Sequence, residues 1–144
     1  MSAETVRDAM VPEPTTLAAD ASAQEAGRCF ADNGEVRAIF VTEEGGQLLG
    51  VVTRKTLVRG VVAAGLDPRG VALREIAEPP NFTLDAGLEL DGAFRFLEEE
   101  DLERVPVVEE GGRLVGVLSR AVVQRRLAED EPPEGEPEPG SVVL

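Results

Sequence analysis

The stretch Phe40–Arg54, FVTEEGGQLLGVVTR, returns as Pro106–Arg120, PVVEEGGRLVGVLSR, with 9 of 15 positions identical. Unrelated segments would share about one such position, so the chain carries an internal repeat and contains two copies of one supersecondary unit. The copies stand 66 positions apart in a chain of 144 residues, which leaves room for two small units and a tail. A unit of about sixty residues buries too little of its surface to be stable by itself. The two copies are therefore expected to pack on each other.

In each copy two apolar runs flank a glycine pair, Gly45–Gly46 and Gly111–Gly112. This reads as a hairpin with a two-residue turn, between strands at Arg37–Thr42 and Gln47–Val52 and again at Glu103–Val108 and Arg113–Leu118. Thr53 and Ser119 follow in the N-cap role, opening helices that run to about Ala64 and about Ala128. Upstream, Ala23, Ala26, Gly27 and Phe30 recur at helical spacing, as do Leu90, Ala93, Phe94 and Leu97. Asn33–Gly34 suits a left-handed exit from the first of these helices. Short β-favouring runs, Thr15–Leu17 and Phe82–Leu84, precede them. Each repeat opens with a lead-in, where Thr5 and Asp8 have capping-box spacing and Leu73–Glu75 stand at the matching place.

The unit is thus strand, helix, strand, strand, helix, with an antiparallel hairpin and a first strand that joins it through a helical crossover. The fold class is α+β, two β-α-β-β-α repeats packed with pseudo-twofold symmetry. Boundaries are expected at 1–67 for the first repeat with its lead-in and 68–128 for the second. Residues 129–144 are expected to form an acidic disordered tail, since EDEPPEGEPEPG holds six acids, four prolines and no base.

Composition narrows the function. With 42% hydrophobic and 29% charged residues the chain has the make-up of a soluble globular protein. A formal charge of -14 speaks against nucleic acid as a partner, because phosphate backbones need clustered Lys and Arg. The first twenty residues have no apolar core of a secretory signal, and no run approaches the roughly 20 apolar residues that span a bilayer. A cytoplasmic protein without membrane association is expected. Cys29 is the single cysteine, so no intramolecular disulfide forms, and its side chain is expected to be a small buried one. There is no histidine, and GVVAAG at Gly60–Gly65 is followed by Leu66 rather than the lysine of a phosphate-binding loop. No catalysis and no metal site are expected.

Taken together, VRDAM with a following proline, DASAQEA at Asp20–Ala26, RVPVV at Arg104–Val108 and the paired GVVT and GVLS joints resemble a tandem pair of CBS domains, the Bateman module. The resemblance covers about Thr5 to Leu127 and implies a stand-alone regulatory module that often pairs into flat homodimers. In many members the clefts between repeats hold adenosine-containing ligands, AMP, ADP, ATP or S-adenosylmethionine, with magnesium entering only through the nucleotide. Carried onto this sequence, the resemblance implies Thr16 and Phe82 from the first strands, and Ala38, Ile39, Arg104, Val105 and Pro106 as the adenine wall. It implies Thr53 and Ser119 as ribose contacts.

Arg54 and Arg120 directly follow those caps, where helix N-termini favour anions, and are candidate phosphate ligands. A plainer reading stands beside this one: ordinary caps followed by solvated surface charges. The acid that such members carry three residues after the cap is missing, its places being taken by Thr56 and Val122. Thr56 keeps some polarity, which favours the first cleft for a phosphate, while Val105 and Phe82 give the second an apolar floor. Two functions therefore compete: an adenosine-nucleotide sensor acting on its own dimer or an unknown protein partner, and a degenerate pair used for dimerisation or protein docking without a small ligand.

Overall fold

The computed structural model describes residues 4–12 and 14–130, so the expected acidic tail from residue 131 onward lies outside the described residues. The lead-in comprises α1 (Val6–Ala9) and β1 (Val11–Pro12). The first repeat follows as β2 (Thr16–Ala18), α2 (Ala23–Asp32), β3 (Ile39–Thr42), β4 (Leu48–Val52) and α3 (Arg54–Leu57), which continues as a π-helical turn at Val58–Val62. A second lead-in helix, α4 (Leu73–Ile76), opens the second repeat, with β5 (Leu84–Asp85), α5 (Leu90–Glu99), β6 (Arg104–Glu109), β7 (Arg113–Ser119) and α6 (Arg120–Asp130). This is the expected α+β order in both copies, and α6 takes in Glu129 and Asp130, which were expected to begin the tail.

In the first sheet β2 runs parallel to β3, with Thr16 opposite Phe40, and β3 runs antiparallel to β4. The second sheet repeats this with β5, β6 and β7, and adds β1 antiparallel to β7. The helices form where the apolar spacing placed them. Ser22 and Glu25 close the start of α2 reciprocally: the Glu25 N–H donates to Ser22 Oγ (3.2 Å) and the Ser22 N–H to Glu25 Oε2 (3.0 Å). The helix buries Ala23, Ala26 and Phe30, and α5 likewise buries Leu90, Ala93 and Leu97. Among the described residues no helix is long and apolar enough to cross a membrane.

Three local expectations change. Thr42 pairs with Leu48, so the first hairpin closes through residues 43–47 rather than two residues, while the second closes through Glu110–Gly112. All four glycines of the two pairs have positive φ, which explains why glycine stands there. Asn33 leaves α2 in an extended conformation (φ -138°), and the left-handed exit occurs instead in the second repeat, at Asp101 (φ 55°). Cys29 is half-buried against the first core rather than fully buried.

The lead-ins cross over. Val6 and Ala9 of α1 belong to the core of the second repeat, packed with Leu84, Leu90, Leu97 and Leu118, whereas Leu73 of α4 belongs to the core of the first, with Phe30, Ile39 and Val52. The backbone repeats the exchange position by position. Val6 N–H donates to Leu88 O (2.9 Å) and Arg7 N–H to Ala86 O (3.0 Å); Leu73 N–H donates to Ala21 O (2.8 Å) and Arg74 N–H to Ala19 O (2.9 Å). Two ion pairs match as well, Arg7 with Glu109 (2.8 Å) and Arg74 with Glu43 (3.2 Å). Glu43 and then Asp20 raise the Arg74 guanidinium above its ordinary value. Gln47 and its counterpart Arg113 bridge to each other, which puts the pseudo-twofold axis between the hairpin loops.

The glycine of the two joints now has a cause. At Gly50 an added Cβ would lie 2.8 Å from Glu78 O and 3.0 Å from Ala77 Cβ; at Gly116 it would lie 2.6 Å from Met10 Sδ and 2.8 Å from Val11 O. In each sheet this is where the other repeat's lead-in passes, its backbone pairing next door at Val51–Glu78 and Val11–Val117.

Candidate functional site

A cleft of about 600 Å³ opens between the repeats and is lined by both. Its walls follow the pseudo-symmetry: Pro14 matches Asn81, Thr15 matches Phe82, Val36 matches Leu102, Phe40 matches Pro106, and Val51 matches Val117. The volume lies in the range of small-molecule sites, and the mixture of apolar walls with a few polar groups fits such a use. The polar side chains are Thr15, Glu35, Arg37, Asn81, Arg104 and Ser119.

Of the residues expected from sequence, Ala38, Phe82, Arg104, Val105, Pro106 and Ser119 line this cleft. Phe82 precedes β5 rather than lying in it, and its ring meets Phe96 edge-on at 5.2 Å, which fixes it as wall. Thr16 and Ile39 do not line it. Successive residues of a strand face opposite ways, so Thr15 and Ala38 with Phe40 take the cleft side while Ile39 is fully buried in the first core. Phe40 combines both expected roles, being buried (8% exposed) and part of the cleft wall.

The remaining expected residues serve the fold. Thr53 and Ser119 cap their helices, accepting from Thr56 N–H (3.2 Å) and Val122 N–H (3.4 Å), but only Ser119 reaches the cleft. Arg54 turns back onto the end of α2, donating to Val36 O (2.8 Å) and Phe30 O (3.2 Å), with its guanidinium 4.7 Å from the Phe30 ring centroid. Arg120 does the same in the second repeat, donating to Leu97 O (3.3 Å) and pairing with Asp101 (3.4 Å) and Glu103 (2.9 Å). These arginines satisfy the carbonyls that a helix end leaves without partners. Arg54, Arg120, Thr53 and Thr56 lie outside the residues that line the cleft, contrary to the phosphate reading.

The two halves of the cleft are unequal. In the first repeat Thr56 is 5% exposed, and its hydroxyl bonds to Thr53 Oγ1 (3.0 Å), accepts from Thr53 N–H (3.0 Å) and donates to Glu78 Oε1 (3.3 Å). In the second repeat the matching Val122 is open to the cleft beside Ser119, and the matching lead-in residue is Val11. The expected preference of a phosphate for the first repeat therefore has no geometry behind it. Sequence reasoning missed Arg37, Glu35 and Asn81, which precede strands in irregular segments where no periodicity marks them.

Residues 6–63 and 73–129 match the CBS domain family. The chain belongs to the CBS domain family. Its repeats are two CBS domains in tandem, as the sequence suggested. Hypoxic response protein 1 of Mycobacterium tuberculosis is 32% identical over 95 residues, 66% of this chain and 66% of that protein. An uncharacterised protein of Methanopyrus kandleri is 25% identical over 113 residues, 78% of this chain and 55% of that protein. The chain thus spans a little over half to about two thirds of these curated relatives. The crystal structure of Hypoxic Response Protein I with two coordinated zinc ions superimposes with a TM-score of 0.69 at 28% identity, covering 85% of this chain and 98% of that one. The cytosolic domain of the Mg2+ channel MgtE in complex with ATP superimposes with a TM-score of 0.64 at 26% identity, covering 81% of this chain and 46% of that one. For zinc, this CBS pair offers no histidine and, among its described residues, no group of three acidic or cysteine side chains able to hold a metal ion.

Proposed function

We propose that this CBS pair is a non-catalytic, cytoplasmic regulatory module that binds an adenosine nucleotide in the cleft between its repeats and thereby alters its own dimer or a protein partner. The observation that carries this reading is the cleft, with apolar walls from both repeats for a ring system and Ser119, Asn81 and two arginines at its polar positions. The likeness to a domain solved with ATP supports the class of ligand. Magnesium would enter with the nucleotide alone.

A thermal-shift and calorimetry panel of AMP, ADP, ATP and S-adenosylmethionine, each with and without magnesium, tests the reading. A ligand at 100 times its Kd adds about 2.7 kcal/mol to stability. No shift with any of them at millimolar concentration removes the nucleotide from the proposal.

A second reading, a module that works by self-association without a small ligand, has its own observation. Val58 and Val62 on the π-helical turn, and Leu66 in the segment after it, are exposed (54%, 70% and 50%), beside a second hollow lined by Ala23, Gly27, Leu57 and Pro68. Exposed large apolar side chains gathered in one place mark an interaction surface, and this face is the proposed seat of the homodimer. Val62→Glu should convert a dimer to monomer in light scattering, and an unchanged mass would place the contact elsewhere.

A further inference from the structure

The second hollow, in the first repeat, is built from residues that the second repeat does not copy. It holds about 650 Å³ between α2 and the helix that α3 forms with its π-helical turn, and Gly27, Ala31, Leu57, Val62 and Leu66 are among its walls. Three of the five exposed large apolar side chains among the described residues, Val58, Val62 and Leu66, gather there. In the second repeat Phe94 stands at the place of Gly27 and packs against its own core, while Gln124 and Ala128 stand at the places of Val58 and Val62.

The same face is basic. Arg28 lines the hollow, and Lys55 and Arg59 are exposed on the helix that carries Val58 and Val62. Among the described residues none of these three has an ion pair or side-chain hydrogen bond, whereas Arg54, Arg69, Arg74 and Arg120 do. Of the nearby acids, Glu25 is held in the α2 cap by Ser22 and Asp67 is held by Arg69. Unpaired cations beside exposed apolar side chains, in a chain of net charge -14, are complementary to a peptide that is acidic and then apolar.

This chain carries such a peptide. Residues 131–144, outside the described residues, read EPPEGEPEPGSVVL: four acids, four prolines and no base, followed by Ser-Val-Val-Leu. An extended proline-rich stretch covers about 3.1 Å per residue, so residues 131–140 can span roughly 31 Å. That is comparable with the width of a folded unit of this size, whose radius of gyration is about 14 Å. On so short a tether the apolar end has an effective concentration on the order of millimolar, so even a weak contact is populated.

We propose that residues 141–144 seat in the first-repeat hollow of their own chain, with the preceding acids on Arg28, Lys55 and Arg59. There they compete with a second copy for the same face. The competition rests on the self-association reading above; the docking does not.

Paramagnetic relaxation tests the docking on the full chain. A nitroxide on Ser141→Cys, in a Cys29→Ser background and diluted into unlabelled protein, should broaden the amides of Ala23–Ala31 and of residues 57–67. Broadening that is absent, or centred elsewhere, overturns the proposal. Broadening of these amides only when label and isotope are on different chains overturns the same-chain assignment in favour of a second copy. Salt at about 1 M, where screening acts within about 3 Å, and Arg28→Glu should each reduce the broadening; insensitivity to both overturns the role of the cations. In light scattering, replacing Val142, Val143 and Leu144 by serine should tighten self-association several-fold. An unchanged dimer constant alongside clear broadening overturns the competition and leaves the docking standing.

Discussion

Replacing Gly50 by alanine probes the crossing of the lead-ins directly. The new Cβ would sit 2.8 Å from Glu78 O and 3.0 Å from Ala77 Cβ, and the oxygen is backbone that no rotamer change can move. Relief requires the lead-in to withdraw from β4, which strains or breaks the reciprocal hydrogen bonds Val51 N–H to Glu78 O (2.8 Å) and Glu78 N–H to Val51 O (3.0 Å). Two such bonds contribute about 1 kcal/mol each, and overpacking of a tight contact typically costs about 1–3 kcal/mol. Against this, alanine lowers the entropy of the unfolded chain by the equivalent of about 0.4–1 kcal/mol. The net expectation is a loss of about 2 kcal/mol, a fall of roughly 8 °C in melting temperature for a domain of this size. Thermal and urea unfolding followed by circular dichroism measure it. Gly27→Ala is the control, since nothing lies within 4 Å of the added carbon in the middle of α2; it should gain about 0.5–1 kcal/mol. If Gly50→Ala melts at or above the parent temperature while the control behaves as stated, the crossing backbone does not enforce glycine and the reasoning fails.

Leu73→Ala should cost about 2–5 kcal/mol in denaturant unfolding, and hydrogen exchange should report the loss in β3 and β4 of the first repeat, although Leu73 belongs to the second repeat by sequence. Arg54→Met and Arg120→Met should each lower stability by about 1–2 kcal/mol through the uncapped helix ends, with nucleotide affinity in calorimetry unchanged; a large drop in affinity would return them to the ligand. Ser119→Ala should weaken AMP several-fold while Thr53→Ala affects stability only, since both cap their helices and of the two only Ser119 lines the cleft.

The repeated hairpin stretch carried most of the fold, because alternating apolar residues, paired glycines and a cap at each end are local signals that repetition made hard to mistake. What it could not carry was the partner of each segment. Nothing in VRDAM says that Val6 packs with Leu90 and Leu118 rather than with Phe30. The contact is distant along the chain, and its one trace in sequence is the pair Gly50 and Gly116, whose missing side chains record a neighbour that is not adjacent. The cleft divided along the same line. Ala38, Phe82 and Arg104 to Pro106 line it, Thr16 and Ile39 do not, and Arg54 and Arg120 obeyed a stronger local demand, the free carbonyls at Phe30 and Leu97. Glu78 was silent in sequence because its meaning comes from the opposite repeat.

The exchange of lead-ins also governs how the chain comes apart. The covalent link between repeats passes through the exposed segment 63–70, so a nick there would release two pieces, each holding the helix that completes the other's core. Neither piece alone is a folding unit, yet mixed in equal amounts they have every contact needed to reassemble.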